Sequence, residues 1–457
     1  MPTSCDIAVI GAGAAGLMAA IWAGRSSPQG TRIIALDGAR KLGAKILVAG
    51  GGRCNVTHFE VDERQYAGSS PHAIKKVLRQ FDVPKTIDFF RDLGVELKRE
   101  ETGKLFPTTD DAHSVLDALL SAASTAGVQL VHPWRVASIA REHDHFLISP
   151  TPPPASPAPP SPPAPSARDP IRAKRLILAT GGKSLPKTGS DGLGYELAKS
   201  LGHTITPTFP ALVPLTLPKD HFITQLSGLT VEATIDLRSP TGKKLKSFTN
   251  STLCTHFGLS GPSILDISRY YTESLGATAS PGATARPRAV PTTNNPPPHL
   301  TLNWLPNLTP DQADTLLSES RTKGHSVARF LTSDIPHPTS HIAPLPDRLA
   351  RALCHQAGVD PSAPIHTLTR EARKALARQF TETPLPITGD RGYTYAEVTA
   401  GGIPLSEVHL DTMESRLCPG LHLCGEILDV DGRIGGFNFQ WAWASGYVAG
   451  KGAAARL

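Results

Sequence analysis

The sequence predicts an α/β protein in which both chain ends build one domain around a parallel sheet and the middle of the chain is inserted into that domain. Near the N-terminus, the apolar run Ile7–Ile10 is typical of a strand buried on both faces, and a helix-compatible stretch follows it. Residues 421–447 repeat this order with a strand candidate, an acidic residue, a glycine pair and a helix. Between the two ends, short alternating runs such as Leu229–Leu237 and Leu300–Leu305 favour antiparallel strands.

The first turn carries the pattern G-x-G-x-x-G. Gly11 suits a tight turn, Gly13 permits close approach of a pyrophosphate, and Gly16 lets the following helix pack on the strand. A second apolar run ends at Asp37, where a carboxylate can accept hydrogen bonds from ribose hydroxyls. The pattern alone also occurs in ordinary glycine loops. Its setting between a strand, a helix and this acid predicts a dinucleotide site.

Composition narrows the functional classes. The chain has 457 residues and a net charge of +6, which permits an anionic ligand or nucleic acid without requiring either. Six cysteines without a C-x-x-C pair argue against a disulfide framework, a zinc site and a dithiol centre, and fit the reducing cytoplasm. The apolar stretch from Ile7 to Gly24 is interrupted by turn glycines, so we interpret it as a buried βα unit. We therefore expect a cytoplasmic protein with no metal and no membrane contact.

The remaining segments differ in composition. Residues 72–130 are compatible with helices separated by short breaks. The Pro/Ala/Ser tract at 151–170 cannot pack and is predicted to be a solvated loop, as is the tract at 276–298. Thr309, Pro310 and Gln312 form a helix-start pattern that opens a small helical module.

These segments predict the domain boundaries. Residues 1–205 and 399–457 form the dinucleotide domain, residues 206–305 with 381–398 form an inserted β-rich domain, and residues 306–380 form a small helical insert.

Several longer motifs follow the first glycine turn, at Ala49–Asn55, Leu178–Tyr195, Thr255–Leu265, Ala396–Ile403, Met413–Leu421 and Gly425–Gly446. Together with that turn, they resemble the motifs of one family, the BaiN/YhiN-like NAD(P)/FAD-dependent oxidoreductases. The resemblance implies an FAD-binding Rossmann-like domain with a β-rich insertion and a helical insert. One branch of that family reduces carbon–carbon double bonds conjugated to a ketone in bile-acid-like steroids. The sequence departs from the family at Asp37, where Glu is more usual, and at Ile434, where a small hydroxyl residue is common.

Carried over by motif, the resemblance implies a set of cofactor-binding residues. The pyrophosphate would lie against the first turn, the adenosine ribose against Asp37, the adenine against the Val136 backbone, and the ribityl or phosphate region against Glu426. A helix starting near Asn438 and Phe439 would point at the flavin N1/O2 edge and favour negative charge there. The whole set comprises Gly11, Gly13, Ala14, Ala15, Gly16, Asp37, Lys45, Gly51, Gly52, Arg53, Val136, Gly181, Glu426, Gly435, Gly436, Asn438 and Phe439.

The predicted reaction is hydride transfer from NAD(P)H through FAD to a conjugated enone or a related small molecule. No second G-x-G-x-x-G occurs between residues 190 and 395, so NAD(P)H is expected to bind transiently. No residue identifies itself as the catalytic acid. Four residues in motif loops are candidates, although each is more often structural: His256, Arg391, Tyr393 and Tyr395.

Two alternatives remain open at this point. One is a flavin-dependent RNA-modifying enzyme, suggested by a related glycine loop in tRNA-modifying flavoproteins and by the basic helical insert, although nucleic acid is not the expected partner. The other is a non-catalytic flavin-binding regulator. The sequence specifies neither the substrate nor the oligomeric state.

Overall fold

The structure is a computed structural model that describes residues 3–151, 169–276, 297–306, 308–320, 324–333, 335–336 and 341–457. Most of each tract predicted to be a loop, at 151–170 and 276–298, lies outside these residues. The chain divides into two compact units, one formed by Met1–Pro210 with Glu397–Leu457 and the other by Ala211–Ala396. Both chain ends therefore contribute to the first unit.

The strands, in chain order, are β1 (Ser4–Ile10), β2 (Ile33–Leu36), β3 (Thr57–His58), β4 (Tyr66–Gly68), β5 (Leu97–Arg99), β6 (Lys104–Pro107), β7 (Val128–Val131), β8 (Val136–Glu142), β9 (His145–Pro150), β10 (Ile171–Leu178), β11 (Phe209–Ala211), β12 (Leu215–Thr216), β13 (Thr230–Arg238), β14 (Lys244–Thr255), β15 (Gly258–Ser260), β16 (His299–Asn303), β17 (Ile335–Pro336), β18 (His341–Ile342), β19 (Thr383–Leu385), β20 (Gly389–Asp390), β21 (Val398–Ala400), β22 (Val408–His409), β23 (Glu414–Ser415), β24 (Leu421–Leu423) and β25 (Val430–Gly432). The helices are α1 (Ala14–Ser26), α2 (Ala44–Val48), α3 (Pro71–Leu78), α4 (Val83–Asp92), α5 (Ala112–Thr125), α6 (Leu193–Ser200), α7 (Pro262–Ser274), α8 (Pro310–Glu319), α9 (Val327–Leu331), α10 (Asp347–Gln356), α11 (Arg370–Thr381) and α12 (Phe437–Ala454).

The first unit is organised by a sheet with a parallel centre, in the order β24-β10-β1-β2-β7. Strand β1 lies between β10 and β2, and all of its residues from Ile7 to Ile10 are buried, as an apolar strand covered on both faces should be. Strand β24, from the C-terminal segment, pairs with β10 through Leu176 and Leu421. The predicted α/β fold assembled from both chain ends is therefore confirmed.

Helices α1 and α12 pack against each other through small residues. A side chain at Gly446 would lie 2.6 Å from the carbonyl oxygen of Ala15, and one at Gly450 would overlap the backbone of Ala19. Helix α12 can therefore approach the backbone of α1 closely. This contact places Gly446, in the middle of α12, against the start of α1.

The interpretation of residues 72–130 as helical is wrong in one part. Strands β5 and β6 pair with each other, and β3 pairs with β6, in a small antiparallel sheet. The turn between β5 and β6 uses Gly103 at φ +81°, where another residue would be strained. Pairing with the distant strand β3 stabilises short segments that carry no strand periodicity of their own.

The second unit contains a seven-stranded sheet in the order β19-β16-β13-β14-β15-β12-β20, and its described pairs are antiparallel. Its core joins this sheet to the helices of the 306–380 segment, as in the burial of Ile235, Leu349 and Leu376. Helix α8 begins as the sequence predicts. The Thr309 hydroxyl accepts the Gln312 N–H at 3.2 Å, and the Gln312 side chain accepts the Thr309 N–H at 2.9 Å.

Candidate functional site

The first glycine turn contains two glycines that packing requires and one that it does not. Gly11 adopts φ +97°, and a side chain there would overlap the Ala179 carbonyl oxygen. A side chain at Gly16 would overlap the carbonyl oxygen of Gly11. At Gly13, by contrast, no atom lies within 4 Å of the position that a side chain would take. The open side of the turn is therefore at Gly13, where the first N–H groups of α1 are available to an anion.

Asp37 lies at the end of β2 and is held by two backbone groups. Its carboxylate accepts the Ala12 N–H at 2.7 Å and the Ala39 N–H at 2.7 Å. The carbonyl oxygen of Asp37 accepts the Trp134 N–H at 2.6 Å, two residues before Val136. The structure thus brings Asp37, the glycine turn and the start of β8 together.

Lys45 and Glu426, both predicted from the sequence to bind the cofactor, form an ion pair at 2.7 Å. The second Glu426 oxygen accepts the Thr399 N–H at 3.0 Å. A side chain at Gly182, next to the predicted site residue Gly181, would lie 2.7 Å from this oxygen. The two charged side chains are 28% and 17% exposed, so the pair is partly shielded from solvent.

The turn that carries Glu426 rests on the start of α1. A side chain at Gly425 would lie 2.7 Å from the Ala15 Cβ, and Gly425 adopts φ +80°. The Ser445 hydroxyl accepts the Gly425 N–H at 3.0 Å, which ties the turn to α12. Glu426 is consequently fixed between the two helices whose N-termini the sequence predicts to face the cofactor.

In the second glycine loop, Gly51 faces open space and Arg53 does not. No atom lies within 4 Å of a side-chain position at Gly51. The Arg53 guanidinium binds Glu100 at 2.6 Å and stacks on the Phe106 ring at 4.0 Å. Its charge is therefore engaged within the loop region, and a contact from Arg53 or its neighbour Gly52 to the cofactor stays a prediction.

The C-terminal glycine pair, at the start of α12, packs against the end of the second glycine loop. Gly436, at φ +94°, packs so closely that a side chain there would lie 2.8 Å from Asn55 Oδ1. Asn55 is 8% exposed, and Oδ1 has no hydrogen-bond partner among the described residues. A buried acceptor without a donor costs free energy, so Asn55 fits a ligand group or water that is held at this position.

Asn438 and Phe439 are oriented by protein contacts. The Asn438 side chain accepts the Gly432 N–H at 2.8 Å and donates to the Gly432 carbonyl at 2.9 Å. Phe439 stacks on Trp443 with ring centroids 5.5 Å apart. These side chains fix the start of α12, which leaves its backbone N–H groups as the polar surface that the helix offers to a ligand.

The residues present fit an extended dinucleotide. Open backbone lies at Gly13 and Gly51, a carboxylate lies at the end of β2, and an unsatisfied polar atom lies at Asn55. All of the cofactor-binding residues that the sequence predicts lie in the first unit. Their individual contacts to the cofactor stay predictions.

The four candidate acids lie in the second unit. Arg391 stacks there on the Tyr395 ring at 3.4 Å and on the Phe257 ring at 4.4 Å. No catalytic role follows from these contacts.

Sequence reasoning did not single out three polar residues of the first unit. Asn55 and Thr399 lie in motifs that were recognised, but nothing local marks their side chains as buried partners of distant groups. Glu397, two residues before Thr399, has an exposed side chain within an otherwise buried segment at 396–403. The acidic residue in the motif A-E-V-T-A-G-G-I was the sequence feature that could have identified Glu397 as a candidate.

In the described parts of the chain, no helix is long and apolar enough to cross a membrane. The same parts contain no group of three or more His, Cys, Asp or Glu residues arranged to hold a metal ion.

A family model described as the HI0933-like protein Rossmann domain matches residues 5–452. The chain belongs to this HI0933-like family. It is an FAD-dependent oxidoreductase, which favours an enzyme over the regulator alternative.

Relatives of this HI0933-like protein carry two activities in their names. The chain is 33% identical over 453 residues to a 3-dehydro-bile acid delta(4,6)-reductase of Clostridium scindens, with 98% of this chain and 99% of the relative covered. It is 31% identical to a ribosomal RNA dihydrouridine synthase of Escherichia coli K12, with 98% and 97% covered. A 3-ketosteroid-delta4-(5alpha)-dehydrogenase structure from Rhodococcus jostii RHA1 aligns at 14% identity and TM-score 0.43, covering 99% and 97%.

Proposed function

We propose that this oxidoreductase binds FAD noncovalently in the first unit and reduces a carbon–carbon double bond conjugated to a carbonyl group, with NAD(P)H as a transient electron donor. The observation that carries the proposal is the 33% identity, over nearly the full length of both chains, to a relative named as a bile-acid delta(4,6)-reductase. A small enone is therefore the substrate class that we favour.

Different groups of the protein would bind different parts of FAD. The N-terminus of α1 offers N–H groups to the pyrophosphate, and Asp37 offers a carboxylate to the adenosine ribose. The Lys45–Glu426 pair would hold the central phosphate and ribityl region, and the start of α12 would place N–H groups at the flavin edge. When bound, FAD would supply hydride transfer through its N5 atom.

Uracil in ribosomal RNA is the second candidate substrate. Two relatives are named as ribosomal RNA dihydrouridine synthases, at 31% and 30% identity. The chemistry is related, because the C5=C6 bond of uracil is also conjugated to a carbonyl. The net charge of +6 is compatible with an RNA partner, but it does not by itself favour one.

An anaerobic stopped-flow experiment with NADH and NADPH tests the electron donor by following loss of flavin absorbance. The reduced protein is then mixed with a 3-keto-4,6-diene steroid or with ribosomal RNA lacking dihydrouridine. We expect reoxidation by the steroid with loss of its dienone absorbance. Reoxidation by RNA alone would assign the second substrate, and failure of both nicotinamides would exclude the proposed donor.

Acid precipitation is expected to release about one FAD per chain into the supernatant. The described residues offer backbone N–H groups and polar side chains to the cofactor, and none of the motifs indicates a covalent link. The supernatant's absorbance and mass spectrum check this expectation. Flavin that stays in the protein pellet would contradict it.

Asp37→Ala is expected to lower FAD affinity by roughly one to two orders of magnitude. Charge-assisted hydrogen bonds to the ribose are worth roughly 1.5–3 kcal/mol each, and about 1.4 kcal/mol is tenfold in affinity. Fluorescence titration of deflavinated protein measures the change. The rate of flavin reduction in fully loaded protein should stay close to wild type, because the ribose lies far from the flavin ring.

Asp37→Asn is the matched variant, because it retains an acceptor for the Ala12 N–H and removes the charge. We expect an intermediate affinity. Unchanged affinity in Asp37→Ala would show that this carboxylate serves only the turn.

A further inference from the structure

Glu397 differs from its neighbours in the first unit. Its side chain is exposed, whereas Ala396, Val398 and Thr399 are each at most 1% exposed. Among the described residues, its carboxylate forms no hydrogen bond and no ion pair. The neighbouring carboxylate of Glu426 has both oxygens engaged, one by Lys45 and the other by the Thr399 N–H. The Glu397 carboxyl group therefore makes no contact of this kind that would stabilise the fold.

Glu397 lies beside residues that the sequence predicts to bind the cofactor. It occupies a bend immediately before β21, and the charges of Lys45 and Glu426 are near enough to act on its carboxyl group. The Thr399 hydroxyl accepts the Lys183 N–H at 2.7 Å and the Ser184 N–H at 3.1 Å. These N–H groups belong to the turn that follows Gly181, which is a predicted cofactor residue. The backbone at Glu397 is therefore two residues from a contact with the turn after Gly181, and its carboxyl group lies near the Lys45–Glu426 pair.

The electrostatic surroundings favour the protonated form. Desolvation by the surrounding protein raises the pKa of Glu397, the positive charge of Lys45 opposes that rise, and the negative charge of Glu426 adds to it. The net direction of the pKa shift is upward, because the effect of desolvation exceeds the opposing effect of Lys45. An exposed carboxyl group with a raised pKa can give up a proton and regain it from water.

We propose that Glu397 is the catalytic acid that contacts the substrate and protonates its α-carbon. This inference rests on the proposed function. The substrate's β-carbon takes a hydride from reduced FAD, its π bond breaks, and the electron pair moves toward the carbonyl oxygen. The O–H bond of Glu397 then breaks as a new C–H bond forms at the α-carbon. Water reprotonates the carboxylate, and the two electrons would come from NAD(P)H, which is oxidised to NAD(P)⁺, by way of FAD.

Glu397→Gln removes the proton and keeps the shape of the side chain. Because general acid catalysis contributes about 10²–10⁴-fold, we expect enone reduction to slow by that factor. FAD affinity and the rate of flavin reduction by NAD(P)H should stay within about twofold of wild type. Glu397→Asp should recover part of the activity. Glu232→Gln, which removes an exposed acid on β13 in the other unit, is the matched control and should change none of these values.

The pH dependence provides a second readout. The wild-type rate should be highest while Glu397 is protonated and should fall as the pH rises through its raised pKa. The residual rate of Glu397→Gln should lack this fall. An enone reduction rate in Glu397→Gln equal to that of wild type would overturn the inference while leaving the proposed function intact.

A third measurement does not depend on the substrate. The absorption spectrum of oxidised FAD in the wild-type protein should shift as the neighbouring carboxyl group titrates, and the shift should be absent in Glu397→Gln. If the wild type reduces no enone, the proposed function fails and this titration still decides the placement of Glu397. A wild-type spectrum without the transition, or the same transition in Glu397→Gln, would overturn that placement.

Discussion

Gly16→Ala is expected to prevent stable folding of the first unit. The added methyl group would overlap the Gly11 carbonyl oxygen, and Gly11 itself is held against the Ala179 backbone. Overpacking costs about 1–3 kcal/mol where side chains can shift, and here the obstacle is backbone. The loss should therefore approach the total stability of a domain, about 5–15 kcal/mol. Urea unfolding of the apoprotein, or the yield of soluble protein, measures the effect.

The matched variant is Gly13→Ala in the same turn. Because a side chain at Gly13 meets no atom within 4 Å, the apoprotein should unfold at nearly the wild-type urea concentration. Equal midpoints for Gly16→Ala and wild type would show that the turn relaxes more easily than its packing indicates.

Gly13→Val is expected to leave the apoprotein folded and to lower FAD affinity by at least about 100-fold. Two charge-assisted hydrogen bonds to the pyrophosphate would be lost, each worth roughly 1.5–3 kcal/mol, and about 2.8 kcal/mol corresponds to 100-fold in affinity. Gly13 has φ −83° and ψ −165°, an extended conformation that valine also adopts. The branched side chain would occupy the open side of the turn, where the pyrophosphate must approach the N–H groups of α1. Fluorescence titration of deflavinated protein measures the affinity.

Gly13→Ala should fall between wild type and Gly13→Val in FAD affinity, because it introduces a smaller group into the same space. Urea unfolding of each apoprotein is the control for folding. A Gly13→Val protein that binds FAD as tightly as wild type would place the pyrophosphate away from this turn.

The sequence by itself determined features that depend on near neighbours. The strand, turn and helix from Ile7 to Ser26 follow from an apolar run and spaced glycines, and the start of α8 follows from a capping pattern within three residues. The repeat of the N-terminal pattern near the C-terminus also predicted that both chain ends build one domain, but it did not predict that β24 pairs with β10. The helix start and the glycine turn could be predicted because the contacts that stabilise them join residues that are close together in the sequence.

Only the tertiary structure decided which polar groups meet. The Lys45–Glu426 pair spans 381 positions along the chain, and no local pattern relates one residue to the other. The strands β5 and β6 depend on pairing with β3, and the exposure of Glu397 within the otherwise buried segment 396–403 depends on how that segment packs. Long-range packing sets the distance, desolvation and partners of a charge, and these quantities determine its chemistry.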